Sequence, residues 1–329
     1  MGNSTNPGGG ALLCTQEELD EMCRNGTELV HEAIDTLDPA LAKAEYLRIS
    51  EARAGLVELM IEWTATTIQH VLETHGEAAM TRCFQPDFWL EIGQRTGLDA
   101  ESTALARQVF ADPTPSAARI EELVRAGDTA AAKRLWAEID AATRRLHDYR
   151  IDWLSAVISH VYEAHGAEGL YGAMLCCAEA EWWHGRMEAD LAELDDPVGR
   201  VRNWTFFLGV GNWGTVSVSE TEEAFVIHHQ VCGSCGSQEL RGCLEEPLSL
   251  PRVTESIPSL NFGNPLYSAY RTHLAVWHFV MPVRDAGHPW PAIDCRGVPG
   301  RCWFHIYKDP HDTPQRFYDL AGLAKPARE

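Results

Sequence analysis

Two stretches, 38–76 and 128–166, repeat apolar residues every three or four positions, the spacing of one helix face. The first opens on Asp38-Pro39, an N-cap Asp with Pro at the first helical position, and stops at Gly76. The second opens on Asp128 and stops at Gly166. They align without a gap at an offset of ninety residues and end IEWTATTIQHVLETHG and IDWLSAVISHVYEAHG. Cap, length, apolar spacing and terminating glycine all repeat, so the pattern predicts an internal duplication. Two long helices should pack as a pseudo-twofold pair, with Trp63 and Trp153 in equivalent buried places.

Around this pair the other elements follow. Thr15-Gln-Glu-Glu18 is a capping box and predicts a helix running to about Thr36. EAAMTRCF and WLEIGQR predict further helix, stopped at Thr96-Gly97, and ADPTPSA at 111–117 predicts the loop between the copies. The helical half is then a bundle over 14–198, its repeats about 14–97 and 102–195, after a tail at 1–13 with no pattern. From Asn203 the chain reads as alternating β-branched and aromatic residues broken by glycines. TVSVSE and AFVIHHQV predict a hairpin, YSAYRTHLAVWHFV a helix, Cys295–Cys302 a second hairpin, and PQRFYDLAGLA a closing helix. The fold class predicted is α+β: a duplicated long-helix bundle followed by an α+β lobe at 199–329.

Composition narrows the function. At 329 residues the chain is long enough for two sizeable cores. A net charge of −21 argues against nucleic acid and anionic membrane surfaces. No run of eighteen apolar residues exists, and the N-terminus has neither the basic nor the apolar region of a secretory signal. Ten cysteines in that setting point to reduced thiols or metal ligation and to the cytoplasm.

The candidate chemistry sits in two constellations. Cys232-Gly-Ser-Cys235 is a C-x-x-C knuckle, and Cys295 and Cys302 form a C-x6-C pair in a Gly/Pro turn. Four thiolates around one point suit tetrahedral zinc; the competing readings are a buried cysteine cluster and a redox-active pair. His229 and Glu239 flank the knuckle as candidates for proton transfer, and only one of His228 and His229 can face the cysteines from a strand. In the bundle, His70/Glu73 and His160/Glu163 lie three apart on matching helix faces, and Glu181-Trp-Trp-His184 adds a Glu-x-x-His. Such pairs serve di-iron carboxylate bundles, but they also arise as inherited packing between repeats.

The run Cys295-Arg-Gly-Val-Pro-Gly-Arg-Cys302-Trp-Phe-His-Ile-Tyr resembles the closing hairpin of 4-vinyl-reductase ligand-binding domains. It is also similar to the L-2-amino-thiazoline-4-carboxylic acid hydrolase family, whose chains have a helical front and a Cys-aromatic strand near the C-terminus. The resemblance spans about 200–310 and implies an α+β lobe with a cysteine-bound zinc, including Cys295 and Cys302, and a small-molecule pocket. The expectation is a zinc enzyme hydrolysing a C–N or C–S bond of a small amino-acid-like metabolite, with His229, Glu239, His160 and Glu163 as candidate catalytic residues. A non-catalytic small-molecule sensor and a bundle di-iron oxygenase are the alternatives. The partner implied is a small molecule, with homo-oligomerisation left open.

Overall fold

The computed structural model describes residues 12–191, 196–246, 248–294 and 301–327, apart from the side chains at 82, 88, 89 and 91. The fold is mixed helix and sheet, as the pattern predicts. The opening helix is two: α1 (Gln16–Met22) and α2 (Gly26–Asp35). Asn25 leaves the helical region and caps the second with its own box to Glu28, which breaks the single helix expected.

Helix α3 (Pro39–His75) starts on the Asp38 cap and ends at Gly76. After a 3-10 segment, Glu77–Phe84, come α4 (Pro86–Thr96), α5 (Ala100–Ala111) and α6 (Thr114–Arg125). The loop expected between the repeats shrinks to Asp112-Pro113, because Asp112 accepts from Thr114 N–H and Pro115 continues the first turn. Helix α7 (Thr129–Glu179) carries the second copy and turns sharply at Gly166, where φ 67 and ψ −166 are open to glycine alone.

Equivalent residues of the two copies touch. Tyr46 meets Trp136 edge to face at 5.9 Å, and His75 stacks on His165 at 3.7 Å with planes 5° apart. Two such contacts about eight turns apart require α3 and the first part of α7 to run parallel and in register. Beyond Gly166 the chain doubles back along α3: a Cβ at Gly172 would lie 3.4 Å from His70 Nε2, and Cys177 Sγ reaches Thr67 Oγ1 at 3.4 Å. The copies are nonetheless used differently. Trp63 is buried under the C-terminal lobe, whereas Trp153 is half-buried beneath Arg150, so the expected equivalence of the two tryptophans fails. The lobe covers both copies, burying Trp63 on the first and pairing Asp152 of the second with Gln238 and Arg241.

Helix α8 (Glu181–Leu191) and α9 (Pro197–Thr205) lead into the lobe. The run from Asn203, read as strand, is helical to Gly211: the Asp196 cap and Pro197 start it, and Phe206–Gly211 widens to a π turn. Strands β1 (Thr215–Glu220) and β2 (Ala224–Val231) form the predicted hairpin; α10 (Cys235–Leu240) follows the knuckle. Arg252–Val253 and Tyr267–Ser268 make a two-stranded ladder, β3 and β4. A helical run over 269–286, again with a π turn at Val276–Val280, precedes β5 (Ala292–Asp294) and β6 (Cys302–Tyr307). The main sheet is antiparallel in the order β1-β2-β6-β5. Its inner face, with Phe225, Ile227 and His229 opposite Ile306, Phe304 and Cys302, joins a hydrophobic core that continues into α3 and α7.

Two glycines test this reading of the long helices. Gly55 lies inside α3 with open space around its Cβ position, so Gly55→Ala should stabilise the chain by about 0.5–1 kcal/mol. Gly166→Ala should destabilise it by about 1–3 kcal/mol, because alanine does not tolerate the turn's dihedrals. Urea unfolding measures both, and equal effects would contradict the turn.

Candidate functional site

A cavity of about 80 Å³, measured as room for water centres, opens where α3, the two π-turn helices and the β2–β6 face converge. Helix α3 supplies Met60 and Trp63 at i, i+3, and the π turns supply Phe207 and Trp277. Inserting a residue into a helix reorients the side chains after it, and π turns recur at functional sites for that reason. Trp183, Trp204, Tyr270 and Phe304 complete an aromatic lining.

The polar wall is built around the knuckle. Register sets His229 opposite Cys302 on the inner face, while His228 turns outward and stacks on Trp303 at 4.8 Å. The chain then bends so tightly that a Cβ at Gly233 would fall 1.4 Å from the Asn212 carbonyl oxygen, which leaves room for glycine alone. Cys232, Ser234, Cys235, His229, Asn212 and Cys302 all line the cavity. Asn212 organises them: its Oδ1 accepts from Ser234 Oγ at 2.8 Å and lies 3.2 Å from His147 Nε2, while its Nδ2 donates to Cys232 Sγ at 3.7 Å. Ser234 N–H also points to Cys232 Sγ, at 3.4 Å.

These contacts polarise the cysteine pair. The hydrogen bond from Cys235 holds the Cys232 thiol well below its ordinary pKa against the opposing effect of burial; His229 and the Gly236 and Ser234 amides add to it. The same bond, with burial, pushes Cys235 well above the thiol range. Cys235 is thus the donor of the pair and Cys232 the acceptor, the sulfur whose ionised form the surroundings favour. His229 is buried, its Nε2 has no hydrogen-bond partner, and desolvation lowers its pKa, so it is uncharged at neutral pH. Burial likewise depresses His273 to about 3 and His278 to about 4.

The remaining candidates lie elsewhere. Glu239 sits behind the wall, 3.5 Å from Arg271, whose Nη2 donates to Cys302 Sγ at 3.6 Å; burial raises the Glu239 pKa. His160 donates from Nε2 to the Ala79 carbonyl at 2.5 Å and Glu163 is exposed; neither lines the cavity. His184 pairs with Asp285 at 3.3 Å and with Glu188. Cys302 is disulfide-bonded, and Cys295 lies outside the described residues. A sulfur in a disulfide is no thiolate ligand. In this oxidation state the four-thiolate set does not fit zinc, and among the described residues no three His, Cys, Asp or Glu side chains are grouped to hold a metal.

Apart from Trp63, read as a buried residue of the repeat, the cavity tryptophans and Asn212 escaped the sequence reading. Their only signal was density, with Trp182, Trp183, Trp204 and Trp213 close together in the chain and Trp277, Trp290 and Trp303 following. The chain matches no family model, no curated protein and no solved structure, so its chemistry is argued from this geometry.

The buried imidazoles set a pH dependence. Between pH 6.5 and about 4 the unfolded chain binds protons that native His278 refuses, and His273 extends the window to about 3. Stability should therefore be full above 6.5 and fall on acidification, by up to about 1.4 kcal/mol per pH unit for each ring. Urea midpoints from pH 7 to 4 measure this; His278→Asn should shallow the slope, and an unchanged slope would contradict the assignment.

Proposed function

We propose that the chain is an enzyme that hydrolyses a C–N or C–S bond of a small amino-acid-like metabolite, with Cys232 as nucleophile. One observation carries this reading: Cys232, hydrogen-bonded by Cys235, Ser234 N–H and Asn212, shares an aromatic cavity with an uncharged, unpartnered His229. A thiolate beside a neutral imidazole is the arrangement covalent catalysis by cysteine needs. The sulfur attacks the electrophilic C=N or C=O carbon, and the π electron pair moves onto that nitrogen or oxygen. Collapse expels the amine or thiol, which takes a proton from water, and leaves the carbon bonded to Cys232 as an S-carbamimidoyl or S-acyl intermediate. His229 Nε2 then takes a proton from the water that attacks this carbon, the bond to Cys232 sulfur breaks to return the thiolate, and the imidazolium proton neutralises the hydroxide left by the first step. Glu239 acts through Arg271, holding the guanidinium against the cysteine wall.

Zinc remains a second reading, because Cys232, Cys235 and Cys302 border one cavity. It requires Cys302 to be reduced. Reduction then frees the thiols of the set for ligation, and a closed four-thiolate site would be structural.

The test is a panel of aminothiazoline-type and carbamoyl amino acids, with released ammonia or thiol as the readout. Cys232→Ala should lower kcat on the order of 10³-fold or more while still binding ligand. Wild-type rates in that variant would sink the nucleophile. Binding without turnover in the wild type would favour the sensor reading. About one zinc per reduced chain, lost in Cys302→Ser, would move the cysteines from catalysis to structure.

A further inference from the structure

Among the described residues, no Asp, Glu, Lys or Arg lines the inner cavity. Its three histidines, His229, His273 and His278, are kept uncharged at neutral pH by burial. Arg271, behind the wall, is held by Glu239 and Cys302 and is not part of the lining. A neighbouring cavity shares Leu59, Trp183, Trp204 and Phe207 but adds Arg186 and Asp190. The lack of charge therefore belongs to the inner cavity and not to the whole aromatic region.

An ion that leaves water for such a space loses its hydration and gains no countercharge. Aromatic faces can hold a cation, but here they are turned on one another. Trp277 lies 4.3 Å from Trp63 and 4.4 Å from Trp183, between ring centroids. The room, about 80 Å³ for water centres, suits one small ring. A free amino acid carries both an ammonium and a carboxylate, and this lining pairs neither.

We propose that the ligand of the inner cavity is an uncharged small ring, an amino-acid-like compound whose amine or thiol and carboxyl are joined in a cyclic amide, imide or thioester. The ring-opening step rests on the hydrolase reading; the exclusion of ions stands without it. The ring C–N or C–S bond is the one that breaks. The amine or thiol stays tethered to the carbon on Cys232 until water releases that carbon as an acid, which ionises by giving its proton to bulk water. A cavity that pairs no ion disfavours this product, so opening the ring also favours its release.

Three alkylating agents of similar size test the charge: iodoacetamide, iodoacetate and 2-bromoethylammonium. Their rates at Cys232 are followed by peptide mass spectrometry on the full chain, each relative to N-acetylcysteine amide. High salt screens the field of the −21 net charge. The preference for iodoacetamide over iodoacetate at Cys232 should exceed that of the model thiol by about tenfold or more, with no gain for the ammonium. Iodoacetate keeping pace, the ammonium favoured, or Cys232 inert to all three would overturn the proposal. Met60→Lys, which adds an ammonium to the lining, should admit iodoacetate; where it does not fold, the wild-type comparison decides. Turnover separates this claim from the nucleophile. Hydrolysis of carbamoyl amino acids, anionic at neutral pH, that is lost in Cys232→Ala would keep the nucleophile and overturn the uncharged ring. Charge discrimination at Cys232, with turnover intact in Cys232→Ala, would remove the nucleophile and leave the exclusion of ions standing.

Discussion

Five indoles hold the molecule together. Trp63 lies 4.3 Å from Trp277, Trp277 4.4 Å from Trp183, Trp183 5.6 Å from Trp290 and Trp290 5.4 Å from Trp204, all between ring centroids. The run crosses α3, the 269–286 helices, α8, the approach to β5 and α9. No local interaction could bring these segments together; burial of large rings does, with about 0.5–1.5 kcal/mol per aromatic pair beyond the area removed from water. Four of these rings, all but Trp290, line the inner cavity, so core and site are one structure. That economy explains why one copy of the repeat carries its tryptophan into the lobe and the other does not.

Polar contacts then fix what the rings leave loose. Asp152 is fully buried on α7 and receives two bonds from Arg241, at 2.5 and 2.8 Å, and one from Gln238 at 3.0 Å. Both donors flank or belong to α10, so this cluster ties the residue after the knuckle to the second repeat. His147 reaches the knuckle from the same helix through Asn212. A buried charge is tolerable when it is satisfied in this way. The second copy thus supplies the polar bed of the site, and the first its aromatic wall.

The helix pair and the first hairpin were legible because both rest on local rules: caps, terminating glycines and residue period. Gly76 and Gly166, at φ 81 and 67, adopt the conformations that their place at the ends of repeated segments implied. The strand reading of Asn203–Gly211 failed because aromatic and β-branched content outweighed the Asp196-Pro197 start signal. The π turns have no sequence signature, and without them the positions of Phe207 and Trp277 cannot be deduced. Strand alternation left only one of His228 and His229 to face the cysteines, and pairing with β6 puts His229 opposite Cys302. His160 and Glu163 followed from the repeat alone, and neither lines the cavity. Asn212 depends on packing between distant segments, which no spacing in the chain records.

The central claim is that Cys232 is the reactive group of the aromatic cavity between α3 and the β2–β6 face. Phenacyl bromide, an aromatic alkylating agent, tests it when modification of each cysteine is followed over time by peptide mass spectrometry. The account predicts that Cys232 is alkylated first and that Cys177, pushed up to about 12 by burial, stays unmodified. Preferential alkylation of half-buried Cys14 or Cys176, with Cys232 inert, would contradict it.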